Sequence, residues 1–246
     1  MKRESANLQR KVDVLSKTFL FGGSDEASLR SLAELASWQQ APPRTVIVRE
    51  QEPGREIYVA ASGFLKISMM SADGREVGLN LIKPVDVFGE VAVFDRGVRS
   101  ATVTSVTHVQ LLVIDQGPFL ELLRSSPDLC IRLLGVLARR VRDLSSDVSG
   151  MRVGQRLARR ILQLAEEAEE NRGIGGIPMA VRLSQTELGE LARATRESVN
   201  QHISLWVREG ILEMSNGQLV VHAPARLRAL ADGLVELPLE ARLLRR

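Results

Sequence analysis

The chain has one cysteine, Cys130, in 246 residues. That excludes an internal disulfide framework, a cysteine-rich zinc site and an iron–sulfur cluster on four thiolates. Aromatic residues make up only 4%, with one Tyr and two Trp, which argues against a row of stacking platforms for single strands. The histidines, His108, His202 and His222, stand far apart and form no metal-ligand spacing. No apolar run approaches the ~20 residues of a membrane helix. The N-terminus, MKRESANLQRKVDVLSKTF, is broken by charges and has no signal-peptide core, so a soluble cytoplasmic protein without a membrane partner is expected. Neither sign of charge is in large excess: 33 basic against 30 acidic residues, net +3, permits nucleic-acid binding without arguing for it. What is present is a globular balance, 44% hydrophobic and 26% charged. Disorder as the general state is excluded, and the length suits one large domain or, more often, two of ordinary size.

Residues 1–40 read as helix, with Leu29, Leu32 and Leu35 or Ala36 at helical spacing and Ser24-Asp25-Glu26 as a start signal. After Pro42-Pro43 come short β-rich runs: Thr45–Arg49, Ile57–Ala61, Leu65–Met70, Val77–Ile82, Val87–Val93, Ala101–Val106 and Val109–Ile114. Regular spacing with turn signals between them predicts an all-β barrel or sandwich able to hold one small ligand. A helical stretch from Pro118 to Met151 follows. Its second half carries Leu134, Leu137, Val141, Leu144, Val148 and Met151 at alternating steps of 3 and 4, an a/d seam. A helix lying on its own domain shows a wider apolar face, so the narrow stripe predicts a homodimer seam. Gly150 and Gly154 loosen the chain near residue 152, a natural hinge. Leu157, Ile161, Leu164 and Ala168 mark another helix, and residues 171–178 a loop.

Two constellations carry chemistry. Ser184-Gln185-Thr186-Glu187 is a capping box opening a short helix to Ala192. A tight break at Arg193-Ala194 leads to Thr195, an N-cap, and a second helix, Arg196–Glu209, stopped by Gly210. Ile211–Met214, Asn216-Gly217 and Gln218–His222 read as a β-hairpin wing. Helix, turn, helix and hairpin make a winged helix-turn-helix. Val199, Ile203 and Trp206 or Val207 form the inner stripe of the second helix. Arg196, Glu197, Asn200 and Gln201 cluster near its start, residue types that read guanine, cytosine and adenine edges. Ser184, Thr186, Thr195 and Ser198 sit at helix starts, where hydroxyls and free amides suit phosphates. The other constellation is Phe88-Gly89-Glu90 followed by Arg99-Ser100-Ala101. Gly89 lets a backbone approach a ligand, Glu90 accepts from hydroxyls, and Arg99 with Ser100 suits a phosphate.

The order of barrel, FGE…RSA, heptad helix and winged helix resembles the Crp/Fnr family of bacterial transcription regulators over nearly the whole chain. Thr18-Phe19-Leu20-Phe21 with Ser28-Leu29, Ile57-Tyr58-Val59 with Ser62-Gly63, Leu137-Ala138-Arg139-Arg140-Val141 and Thr195-Arg196-Glu197-Ser198-Val199 support it. The resemblance implies an α+β protein in three parts. These are a β-barrel of the cupin-like jelly-roll, cyclic-nucleotide-binding type with an N-terminal helix over residues 1–117, a dimerisation helix over 118–152 and a winged helix-turn-helix over 153–246. It implies a non-enzymatic homodimer that binds double-stranded operator DNA under control of a small effector. RNA polymerase enters as a partner of the 171–178 loop on the same ground. In the cyclic-AMP-binding members Gly-Glu faces the ribose and Arg-Ser the cyclic phosphate, and these stand here as Gly89, Glu90, Arg99 and Ser100. The polar pair that meets the adenine falls on Leu144 and Ser145, so half of it is kept.

Cyclic AMP or another cyclic nucleotide is therefore the first expected effector. The alternatives are a vestigial pocket, a cyclic dinucleotide, or a redox signal at Cys130, although that residue's neighbours Leu129, Ile131, Leu133 and Leu134 suit a buried inert thiol. Haem, which the carbon-monoxide-sensing members of the family hold, is not expected, with no His or Cys at the matching barrel positions, and neither is a metal. An enzyme with a regulatory cyclic-nucleotide domain ranks last, since residues 152–246 contain no nucleophile elbow, phosphate loop or paired catalytic carboxylates. Several positions depart from the family pattern. Gln51 and Val85 replace turn glycines, and Arg193 takes the glycine of the helix turn, at a cost of roughly 1–2 kcal/mol where φ is positive. The link between the dimer helix and Arg156-Leu157-Ala158 is shorter than usual. Gln201 stands where Arg is frequent, which predicts adenine tolerated or preferred over guanine at that base step. The tail after Ala223 reads as helix, with no role assigned.

Overall fold

The computed structural model describes residues 2–71, 74, 76–94, 97–148, 152–166, 177–178, 183–215 and 218–237. They form two compact units, Met1–Arg75 with Leu79–Ser145 and Glu76–Gly78 with Ser146–Arg246. The chain opens with two helices, α1 (Lys2–Lys17) and α2 (Glu26–Leu35). Asp25 caps α2, accepting from the Ser28 hydroxyl at 2.6 Å and the Ser28 N–H at 2.9 Å. Those bonds hold its carboxyl below the usual carboxylate range. Helix does not run on to residue 40. Ser37–Ala41 is a strand, β1, because its apolar residues Trp38 and Ala41 are drawn into the cores on either side of a sheet.

The following elements are β2 (Val46–Val48), β3 (Glu56–Ser62), β4 (Leu65–Met70), β5 (Glu76–Ile82), β6 (Val87–Phe88), α3 (Glu90–Phe94), β7 (Thr102–Ser105), β8 (Val109–Asp115), α4 (Gln116–Ser125) and α5 (Pro127–Val148). The strands make two four-stranded sheets, β1-β8-β3-β6 and β2-β7-β4-β5. The expected closed barrel is not what forms: both sheets are open. Closure requires every edge strand to find a ladder partner. Here β6 is only two residues long, and the ladders shift register between Val46 and Val48 and between Ala60 and Ser62.

The inner faces share one core, with Tyr58, Ala60, Phe88 and Leu111 from the first sheet and Val48, Leu65, Ile82 and Val103 from the second. Side chains alternate along a strand, so Ile57, Val59, Val87, Leu112 and Ile114 face the other way. They pack with Leu15, Phe21, Leu29, Phe119, Leu129 and Leu133 of the helical layer. The helical stretch expected from Pro118 to Met151 is parted at Ser126, which takes an extended backbone (φ −132°) before Pro127, as residues preceding proline prefer.

Among the described residues, four non-glycine positions have left-handed backbones: Arg44 (φ 64°), Gln51 (66°), Val85 (69°) and Arg193 (50°). Gln51 is exposed and Val85 half-buried, so their side chains offset little of this cost. Gln51→Gly and Val85→Gly should each raise stability by about 0.5–1 kcal/mol, the relief of left-handed strain less the extra unfolded-state freedom of glycine. Urea midpoints measure the gain, and Gln51→Ala, which keeps the strain, should bring none.

The second unit holds α6 (Val153–Glu166), β9 (Ile177–Pro178), α7 (Gln185–Ala192), α8 (Arg196–Arg208), β10 (Leu212–Ser215), β11 (Gln218–Val221) and α9 (Pro224–Ala231). The loop expected over 171–178 ends in a strand: Ile177 and Pro178 pair with Val221 and Val220, completing the sheet β10-β11-β9. Residues 171–176, the Asn216-Gly217 turn and residues 238–246 lie outside the described residues. Leu157, Ile161, Ile203, Trp206, Val221 and Leu227 are among its buried side chains. The tail helix α9 packs on α6. Among the described residues no helix is long and apolar enough to cross a membrane, and no group of three or more His, Cys, Asp or Glu is placed to hold a metal ion.

Candidate functional site

Gly89 ends β6 and Glu90 opens α3, so the strand expected to reach Val93 stops at Phe88. The reason is local. Gly89 has φ +85°, a left-handed backbone that glycine adopts freely. A Cβ there would stand 2.8 Å from Arg99 Nη1 and 3.1 Å from the Glu56 carbonyl oxygen. Arg99 is 5% exposed. Its Nη1 donates to the carbonyls of Glu56 (2.9 Å) and Gly89 (2.8 Å), and its Nη2 to Glu56 Oε2 (2.8 Å). The guanidinium carbon lies 5.6 Å from the centre of the Tyr58 ring, which stacks on Phe88 at 5.0 Å. Main-chain bonds fix the loop: Arg99 N–H donates to the Glu52 carbonyl at 2.8 Å and Gln51 N–H to the Arg99 carbonyl at 2.9 Å. Gly54 lies directly under the guanidinium, where any Cβ would overlap Nε and Cζ. Burial and the Glu56 carboxylate push the Tyr58 hydroxyl above its ordinary range, against a smaller pull from Arg99.

Of the expected effector residues, Gly89 and Arg99 touch. Glu90, next in sequence, is 1% exposed, and Ser100 is exposed beside Arg99. The residues not anticipated are Glu56 and Tyr58. Their signal was the period of two, which puts Glu56 and Tyr58 on one face of β3, with Tyr58 opposite Phe88 in the ladder. The ion pair is lopsided: the Arg99 side chain is 5% exposed and that of Glu56 41%. Arg99 needs an anion where it lies, whereas Glu56 can move into water without leaving a buried charge. The fork therefore suits exchange of a carboxylate for a phosphate.

In the second unit the capping box is complete, with Ser184 Oγ accepting from Glu187 N–H at 3.2 Å and Glu187 Oε2 from Ser184 N–H at 2.7 Å. Guanidinium groups from α6 cover the other end of α7. Arg160 Nε donates to the Leu191 carbonyl (3.2 Å), and Arg156 donates to those of Ala192 (2.8 Å) and Arg193 (3.1 Å). Cations there meet the negative helix end, beside the left-handed Arg193. Thr195 Oγ1 accepts from Ser198 N–H at 3.2 Å and starts α8. The buried stripe of α8 is Val199, Ile203, Leu205 and Trp206, while Val207 is 37% exposed. Arg196, Glu197 and Asn200 are exposed and Gln201 half-exposed; Ser184, Thr186 and Thr195 are exposed and Ser198 half-exposed. An open cleft of 520 Å³ is lined by Gln185, Thr195, Arg196, Glu197 and Asn200. Gln185 was not anticipated: its Nε2 donates to Asn200 Oδ1 at 3.0 Å across 15 residues, beyond any local spacing rule.

Residues 38–126 match the cyclic nucleotide-binding domain family and residues 155–230 the Crp-like helix-turn-helix domain. The chain is 30% identical over 196 residues to the cyclic AMP receptor protein of Thermus thermophilus, covering 78% of this chain and 87% of that one. It belongs to the Crp/Fnr family. The CRP-like cAMP-activated global transcriptional regulator of Mycobacterium tuberculosis is 28% identical over 218 residues, 87% of this chain and 97% of that one. The c-di-GMP-responsive regulator CLP of Xanthomonas campestris shares the fold, with TM-score 0.67 over 80% of this chain and 99% of that one at 22% identity. Membership in the Crp/Fnr family makes the protein a DNA-binding transcription regulator, not an enzyme, with an N-terminal domain of the cyclic nucleotide-binding type.

In this Crp/Fnr regulator the stripe along α5 is partly described. Leu134 and Val141 are exposed, by 64% and 61%, and so is Ile131, by 66%, a residue the heptad count passes over. Leu137 is half-buried. Leu144, Ser145 and Val148 lie in α5, but their side chains, and Met151 altogether, are outside the described residues. Cys130 is half-buried rather than buried, and its Sγ contacts the Leu123 carbonyl at 3.3 Å.

Proposed function

We propose that this Crp/Fnr regulator is a cytoplasmic homodimer that binds a cyclic nucleotide, cyclic AMP first, and thereby controls its grip on double-stranded operator DNA. Residues 1–117 serve as effector domain, 118–152 as dimerisation helix and 153–246 as DNA-binding domain. One observation carries the effector reading: a buried guanidinium held by a carboxylate that is itself 41% exposed. A cyclic phosphate brings the same charge and takes the Arg99 fork, and Glu56 turns to water. Glu90 accepts from the ribose hydroxyl, Ser100 donates to the phosphate, and the purine reaches α5 near Ser145. Two named relatives, a cyclic AMP receptor protein and a cAMP-activated regulator, support cyclic AMP as the nucleotide. Arg196, Glu197, Asn200 and Gln201 read base edges, and Ser184, Thr186, Thr195 and Ser198 hold phosphates. Ligand selects one arrangement of the paired α5 helices, and with it one spacing of the two α8 helices. RNA polymerase is met through the 171–178 loop, of which residues 171–176 lie outside the described residues.

Calorimetric titration with cyclic AMP tests the effector. Wild type should bind saturably, and Arg99→Ala should bind at least ~100-fold more weakly, the scale of removing one partner from a buried charged pair. Glu56→Gln, which weakens the competing anion, should bind several-fold tighter. Equal affinity in wild type and Arg99→Ala would sink the reading. Heat with cyclic di-GMP and none with cyclic AMP would favour the dinucleotide, the effector of the fold neighbour CLP, and heat with neither a vestigial pocket.

A further inference from the structure

We propose that Gln185 decides which bases Asn200 reads, by fixing the orientation of the Asn200 side-chain amide; this rests on the reading of α8 as the recognition helix. Gln185 is the first residue of α7, directly after its Ser184 cap, and Asn200 lies in the second turn of α8. The two side chains face one cleft together with Arg196 and Glu197. A free asparagine amide offers an acceptor and a pair of donors side by side, the combination that matches adenine at N6 and N7. Here Oδ1 is turned toward Gln185, whose Nε2 donates to it at 3.0 Å and takes one of its two lone pairs. What the exposed Asn200 presents to a groove is therefore its Nδ2 donor pair. Donors suit acceptor edges, guanine N7 and O6 or thymine O4. The two-point fit to adenine is weakened, because the bond to Gln185 holds Oδ1 away from the position that fit requires, and the N4 donor of cytosine is disfavoured for the same reason. Gln185 is thus a positioning residue: it touches no base in this scheme and acts through Asn200.

The test selects operators from a half-site library with the full chain, with and without saturating cyclic AMP, for wild type, Asn200→Ala, Gln185→Ala and Gln185→Glu. Wild type should favour guanine or thymine at one position of each half-site, and Asn200→Ala should erase that preference. Gln185→Ala frees both ends of the amide and should move the same position toward adenine by roughly ten-fold. Gln185→Glu accepts from Nδ2, turns Oδ1 outward and should favour the donor bases adenine and cytosine. Ratios between bases are read rather than total affinity, so a general loss of helix stability or of phosphate attraction does not imitate the result. If Asn200→Ala erases a preference that neither Gln185 variant alters, or if wild type already selects adenine there, the proposal is overturned and the recognition reading stands. If Asn200→Ala changes no position, the recognition reading of Asn200 falls and takes the proposal with it.

Discussion

Leu134→Glu combined with Val141→Glu is expected to give a monomer whose affinity for a two-half-site operator is at least ~100-fold lower than wild type, because linked half-site binding is lost. The helix explains the size of the effect. Leu129 and Leu133 of α5 are 0% and 7% exposed and belong to the core of their own unit. Ile131, Leu134 and Val141 leave more than three-fifths of their surface to solvent. The ring of Phe19, itself 53% exposed, lies beside Gly135 and widens the same apolar patch. A continuous exposed stripe of this kind on a charged helix marks a protein interface. In the proposed homodimer, two carboxylates placed in it would face their own copies across the dimer axis, at several kcal/mol of repulsion and desolvation. The sites are exposed and Glu is a better helix former than Val, so the monomer should keep its fold. Light scattering on a sizing column reads the mass, and a dimeric double variant would remove α5 from the interface.

Trp206→Ala should cost about 3–5 kcal/mol, the usual penalty for deleting a fully buried large aromatic side chain, and operator binding should fall with it. Trp206 is 1% exposed on the inner face of α8, and His202 packs edge-on against it at 5.7 Å. It also borders a cavity of 660 Å³ lined by Arg152, Gln155, His202 and Leu230, among others. Trp206→Phe, which keeps most of the contact, should cost under half as much. Urea unfolding followed by circular dichroism measures both. The substitutions leave Trp38 as the only tryptophan, so the fluorescence then reports the first unit alone. A Trp206→Ala midpoint equal to that of wild type would contradict this account of the α8 core.

The helix-turn-helix was legible because its signals are local. Ser184 and Glu187 are three residues apart and bond each other, and Thr195 bonds Ser198, all within one turn of helix. The strain at Gln51, Val85 and Arg193 was visible only through likeness to a family that keeps glycines there. Elements decided by tertiary context were missed. Ser37–Ala41 carries Trp38 and Ala41 three apart, a spacing that fits a helix as well as a strand until a sheet edge pairs with it. Val-Phe-Gly-Glu-Val-Ala-Val is rich in β formers, yet the left-handed Gly89 turns it into α3. Whether sheets close depends on edge strands meeting, which alternation within each strand does not encode. Glu56 escaped for a like reason: Arg99 lies 43 residues away in the chain, and Glu90, nearer in sequence, was the obvious acid to consider.

Strand β3 has a property that bears on how the chain finds its fold. Ile57, Tyr58, Val59 and Ala60 are all buried, at 0%, 7%, 0% and 0% exposure, because one face meets the helical layer and the other the second sheet. In a half-solvated strand, a slip of one residue throws apolar side chains into water and is corrected. In β3 the same slip exchanges one oily face for another and meets little resistance from the hydrophobic effect. The frame has to be marked by something polar, and Glu56 is that mark. Side chains alternate along the strand, so moving it by a single residue carries the carboxylate to the opposite face, away from Arg99, and strands a guanidinium in the interior. The pair proposed to open for a phosphate thus also penalises a slipped register, since a strand shifted by one residue leaves Arg99 buried without its carboxylate.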